Sequence, residues 1–204
     1  MTMTRTGSKA QGFSLIEAMV TIAVMAILAM IAIPNFRDLM RRNQVTSASN
    51  TLLADLSYAR TEAVSRGLFV SFCPANADGT ACNTSGTTYD TGWIVYTYTP
   101  GNAVANTPYD STAPATNVLL RYTQAKPNAS IQGSDNSTYS NVVTFNNQGQ
   151  RMPLSGSVPL TFNTCYRAGT TGIGTSTQAV QGSTITLETS RSSGGCAPKA
   201  WYAR

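Results

Sequence analysis

Residues 12–36 read GFSLIEAMVTIAVMAILAMIAIPNF. From Ala18 to Ile33 nothing is charged and only Thr21 is polar, yet Glu17 stands at the front of the run. Phe13 to Ile33 is 21 residues, and a helix needs about 20 to cross a hydrocarbon core of about 30 Å. A secretory signal would carry a shorter apolar stretch and a small-residue cleavage site. Here Pro34, Asn35, Phe36 and Arg37 follow instead. A buried core helix would show a polar face, which this run lacks. The stretch therefore predicts a membrane-spanning helix. An acid inside such a helix costs roughly 2.5–3.5 kcal/mol at the membrane centre and less near its edge. Glu17 is accordingly a candidate functional residue, the alternative being an interfacial acid among the headgroups.

The surroundings of the acid narrow its meaning. A short leader with Arg5 and Lys9 ends at Gly12, and Phe13-Ser14-Leu15-Ile16-Glu17 opens the apolar helix. This arrangement resembles the class III signal of type IV prepilins and type II secretion pseudopilins. The resemblance implies that a membrane prepilin peptidase/methyltransferase cuts between Gly12 and Phe13 and methylates the new N-terminus on Phe13. Glu17 becomes the fifth residue, and the apolar segment stays in the mature protein. It further implies that the Glu17 carboxylate faces the N-terminal ammonium of a neighbouring subunit in a filament. Opposite charges attract strongly in a low-dielectric bundle, and removing one leaves the other buried and unpaired.

The chain has 204 residues, enough for one modest domain besides the helix. Only 11% are charged, while Ser, Thr, Asn and Gly abound after residue 75, the composition of an extracytoplasmic β-rich domain. Removing Arg5 and Lys9 lowers 14 cations to 12 against 9 acids. A net charge of +3 does not by itself predict a nucleic-acid partner. Arg5 and Lys9 on one side of the helix balance Arg37, Arg41 and Arg42 on the other, so the charge rule favours neither orientation. The cysteines and polar loops put the C-terminal part outside, in the periplasm if the anchor lies in an inner membrane.

Cys73, Cys82, Cys165 and Cys196 make an even count in a chain read as exported, where disulfides persist. Three pairings are possible. Cys73 and Cys82 bracket a Pro/Gly/Asn-rich loop, and Cys165 and Cys196 the end of the chain, so 73–82 and 165–196 are the expected bonds. With no histidine and no close Cys-x-x-Cys pair, a metal site is not expected. The same lack of histidine removes Ser-His-Asp and Cys-His catalysis. No phosphate loop follows a strand. Neither an enzyme nor a cofactor is expected, and the acids, among them Asp78, Asp90, Asp110 and Asp135, read as solvating.

After Pro34, which predicts a kink or local melting, Val45, Ala48, Leu52, Leu56, Ala59 and Ala63 recur at steps of three or four. Asn50, Asp55, Tyr58 and Glu62 fall outside that stripe. The helix is expected to run from Phe13 to about Arg66, roughly 80 Å at about 1.5 Å per residue, with Gly67 as its stop. Strands are expected at 68–73, 93–98, 118–123, 142–146, 160–165 and 184–188, with a last one at 200–202. Trp93 and Val95 should face one side of their strand and Ile94 and Tyr96 the other. The chain thus divides into a leader (1–12), a long helix (13–66, membrane part 13–33) and a β-rich domain (67–204). That is an α+β, pilin-like order of helix and antiparallel sheet.

The stretches LSYARTEAVSRG (56–67), GWIVY (92–96) and FNNQGQRM (145–152) also resemble the GspH/FimT family of minor pilins and pseudopilins. That resemblance implies a non-enzymatic filament subunit, partnered by other pilins or pseudopilins through its helix, which initiates or caps a type IV pilus. The alternatives are a minor pseudopilin of a type II secretion system and a DNA-binding pilin for natural transformation. DNA-binding members carry a C-terminal Gly-Arg-x-Arg-like cluster. Here the end reads CAPKAWYAR. Arg167, Arg191, Lys199 and Arg204 are the candidates for phosphate, with Trp201 and Tyr202 available to stack on bases.

Overall fold

The computed structural model describes residues 12–85, 88–98, 107–112, 117–134, 142–152, 160–169, 172–187 and 192–195. Two compact units emerge, Met1–Leu39 and Met40–Arg204.

A single helix, α1, runs Leu15–Arg66 and passes through Pro34 without a break. The expected melting is absent because proline removes only one backbone donor, and the Asn35 side chain adds a bond to the Ile31 carbonyl at 3.0 Å. Gly67 ends the helix with φ of 65°, the left-handed cap that glycine adopts without strain. The i,i+4 pair of Glu62 and Arg66 sits in the last turn.

Among the described residues of the second unit, nine antiparallel strands follow: β1 (Val70–Pro74), β2 (Gly92–Tyr98), β3 (Asn117–Gln124), β4 (Ala129–Ser134), β5 (Val143–Phe145), β6 (Arg151–Met152), β7 (Leu160–Tyr166), β8 (Ser183–Leu187) and β9 (Ser192–Gly195). They form two sheets, β3-β2-β1-β5-β6 and β4-β7-β8-β9. Strands β4, β6 and β9 were not expected from sequence. Ala129–Ser134 and Ser192–Gly195 are rich in Ser and Gly and lack the β-branched alternation that marks a strand. The strand expected at 200–202 lies outside the described residues.

The main core joins the helix to both sheets. Ala48, Leu52, Leu56, Ala59 and Ala63 of α1 meet Val70, Phe72, Trp93 and Val95 of one sheet and Ile131, Phe162 and Ile185 of the other. Ala48, Ala59 and Ala63 are fully buried in it, small side chains among the larger ones of the sheets. Phe72 sits at the centre, its ring 5.6 Å from Tyr89, 6.2 Å from Trp93 and 6.3 Å from Phe162. The expected division of β2 holds: Trp93 and Val95 join this core, while Ile94 and Tyr96 join a second cluster with Cys73, Cys82, Tyr98 and Tyr109. Gly92 is required by its position. It has φ of 126°, and a Cβ there would lie 2.5 Å from the Thr123 carbonyl.

Two expectations about acids are corrected. Asp55 was placed off the apolar stripe, yet it is 3% exposed. It accepts hydrogen bonds from Trp93 Nε1 (2.8 Å), Arg121 (2.7 Å) and Thr123 Oγ1 (2.6 Å). Arg121 also lies over the Tyr58 ring at 3.9 Å. A buried carboxylate is tolerable only when so fully partnered. Asp90, read as solvating, is likewise engaged by Ile131 N, Ser130 Oγ and Arg167, fastening its turn to the second sheet.

Candidate functional site at the start of the helix

Helix α1 begins with a chemical instruction written in four residues. Ser14 precedes the first helical residue and its Oγ accepts from Glu17 N at 3.3 Å, while its carbonyl accepts from Ala18 N at 3.2 Å. Ser-x-x-Glu is a capping box, so Ser14 is the N-cap and Glu17 the third helical residue. An acid in the first turn is stabilised by the unsatisfied N–H groups and the positive end of the helix dipole. The Ser14–Glu17 stretch is therefore a helix start.

From Gly12 to Arg37 every side chain is exposed. Large apolar groups are bare: Phe13 79%, Leu15 79% and Met30 80% exposed. The mean hydropathy of the best 18-residue window is 2.5, and none of it is buried. The hydroxyl within the apolar stretch Ala18 to Ile33 is satisfied internally, since Thr21 Oγ1 donates to the Ala18 carbonyl at 2.9 Å. A helix apolar all round and uncovered is stable only in lipid or against other helices. Gly12 is open: a Cβ there would meet nothing within 4 Å. The chain's own packing does not demand glycine at that position.

The remaining candidates are dispersed. Cys73 and Cys82 form a disulfide. Cys165 is half-buried, and burial pushes its thiol up from its ordinary value; Cys196, its expected partner, lies outside the described residues. Arg167 has its guanidinium on Asp90 at 2.8 Å, with the side chain 11% exposed, so it is engaged within the fold rather than offered to phosphate. Arg191, Lys199 and Arg204 lie outside the described residues. Among the described residues no group of three or more His, Cys, Asp or Glu is placed to hold a metal ion. Asp55 and Asp90 are the residues that sequence reading missed. The signal for Asp55 was available: it lies three residues after Leu52 and four before Ala59, on the buried face.

A bare apolar helix with an acid in its first turn, joined to an antiparallel α+β unit, is the architecture of a pilin-like subunit. The sequence profile described as "Type II transport protein GspH" matches residues 48–194, and that of the "Prokaryotic N-terminal methylation motif" matches residues 7–33. The chain belongs to the GspH family of minor pilins and pseudopilins. Two fimbrial proteins of Pseudomonas aeruginosa are 47% identical over 60 residues, 29% of this chain and 38% of theirs. The match thus spans well under half the length of those relatives. Two crystal structures of the Pseudomonas aeruginosa type IV minor pilin FimU are similar to this chain at low identity. One is 19% identical with a TM-score of 0.50, covering 80% of this chain and 99% of that one. The other is 20% identical with a TM-score of 0.46, covering 77% and 99%.

Proposed function

We propose that this chain is a minor pilin that helps initiate or cap a type IV pilus. It is held as a single-pass protein in the inner membrane, with the C-terminal domain in the periplasm, until it polymerises. The observation that carries this reading is the uncovered apolar helix whose first turn bears Glu17. Prepilin peptidase cuts after Gly12 and methylates Phe13. The Glu17 carboxylate then meets the terminal ammonium of a neighbouring pilin, and the apolar faces of several helices cover one another. Pairing across subunits offsets the cost of an acid in the membrane and fixes axial register.

A minor pseudopilin of a type II secretion system is the second reading, favoured by the description of the matching family. The two are separated by deleting the gene and restoring it in trans. The pilus reading expects surface filaments to be lost and restored while secreted enzymes in the culture medium stay constant. Loss of secretion with normal piliation would transfer the chain to the secretion system. A Cys165–Cys196 disulfide is part of the same proposal, since both thiols would reach an oxidising compartment. Peptide mapping without reduction should recover it, and alkylated Cys165 in mature protein would remove it.

A further inference from the structure

The outer face of the five-stranded sheet turns away from the helix, yet Ile94, Tyr96 and Tyr98 there are 0–2% exposed. Two short segments, 75–85 and 107–112, cover them. They are held to each other by Cys82 N to the Tyr109 carbonyl (2.9 Å) and Ser111 N to the Thr80 carbonyl (3.0 Å), while Tyr109 N lies 3.0 Å from Cys82 Sγ. They are held to β1 by Asn83 N to the Pro74 carbonyl at 2.7 Å. Tyr96 and Tyr98 both donate to the Thr107 carbonyl, at 2.6 and 3.0 Å. The apolar groups beneath this cover form a cluster separate from the main core. Among the described residues, Cys73–Cys82 is the covalent cross-link between cover and sheet beyond the backbone itself.

We propose that Cys73–Cys82 is a redox latch for this cover: oxidation closes 75–85 and 107–112 over the tyrosines, and reduction opens them while the main core stays folded. Closing requires a dithiol–disulfide exchange oxidant of the exported compartment. The two thiols lose their protons, the S–S bond forms, and the electron pair leaves on the oxidant as its dithiol. Opening by dithiothreitol runs the other way. One reagent thiolate attacks Cys82 Sγ, in the less buried of the two residues (9% against 0% exposed), and the Cys73 thiolate leaves and takes a proton. The second reagent thiol then closes the cyclic reagent disulfide and releases Cys82. The cover responds locally because most of its residues are exposed or half-buried and its apolar groups belong to the smaller cluster, whereas α1 and the second sheet share the large core. The latch operates whichever filament the subunit joins.

Amide hydrogen exchange on the full chain in detergent micelles tests this. Three samples are compared: oxidised protein, the same protein in dithiothreitol, and the Cys73→Ser/Cys82→Ser double variant, which leaves Cys165 in place. Exchange across 75–83 and 107–112 should rise about ten-fold or more in the second and third samples. Peptides from Met40–Arg66, β7 and β8 should keep their protection. Unchanged exchange in the cover would overturn the latch, as would loss of protection everywhere, which would make the disulfide a global staple. A response to dithiothreitol without one in the double variant would also overturn it, because the reagent would then be acting at another sulfur.

Discussion

Gly12 has open space around it, so its small size answers a demand from outside the chain. Under the proposed function, that demand is a peptidase cleft that admits the bond after residue 12. Gly12→Val should leave the fold intact and the subunit membrane-bound at full length, read as the uncut mass after denaturing electrophoresis. Normal mature mass would move the cleavage site elsewhere. Asp55 is the opposite case, a residue required by the fold itself. Three donors converge on its carboxylate, and truncation strands Trp93 Nε1 and Arg121. Arg121 is 44% exposed and regains water, so Asp55→Ala should cost about 2–3 kcal/mol rather than the full penalty of a broken buried pair. Thermal unfolding of the full chain in detergent should fall by about 4–12 °C, and a shift under 2 °C would mean that the network contributes little. The candidate site was legible at this scale because its signals are local in sequence: Gly12, Ser14 and Glu17 lie within six residues. The pairings of Asp55 and Asp90 were not, because their partners lie 38 to 77 residues away.

Elements divide by the same criterion. Helix α1 and the strands β1, β2, β3, β5, β7 and β8 carry an apolar period that names them. Strands β4 and β9 do not; their hydrogen-bonding partners in the second sheet define them, and no local pattern shows a partner. The FNNQGQRM stretch shows how a turn acquires a reason only in three dimensions. Asn146 Oδ1 accepts from Gln148 N and Gln150 N, closing the loop between β5 and β6. Gly149 then lies against α1 with φ of 74°, where a Cβ would meet Val64 Cγ2 at 3.0 Å and Arg60 Nε at 3.1 Å. Gly149→Val forces a β-branched residue into the left-handed region and into the helix at once. The expected loss is about 2 kcal/mol or more, measured as a lower unfolding temperature. An unaltered midpoint would show that the loop shifts without penalty.

For the whole molecule, the domain buries its own apolar surface around α1 and the two sheets, while the first part of the helix buries none. That asymmetry is the reason to look for function in assembly, and the proposed function puts Glu17 at its chemical centre. Replacing Glu17 removes an intramembrane charge, so the isolated subunit should sit in the bilayer at least as comfortably as before. The loss should appear where a neighbour's ammonium is left without its partner. The decisive measurement is the fraction of cleaved Glu17→Ala subunit that cofractionates with sheared filaments, set against wild type. Cleavage at the normal level with a filament-bound fraction reduced about ten-fold, equivalent to about 1.4 kcal/mol, is the predicted result. An unchanged fraction, or a subunit that fails to be cleaved, would contradict a role for Glu17 in pairing between subunits.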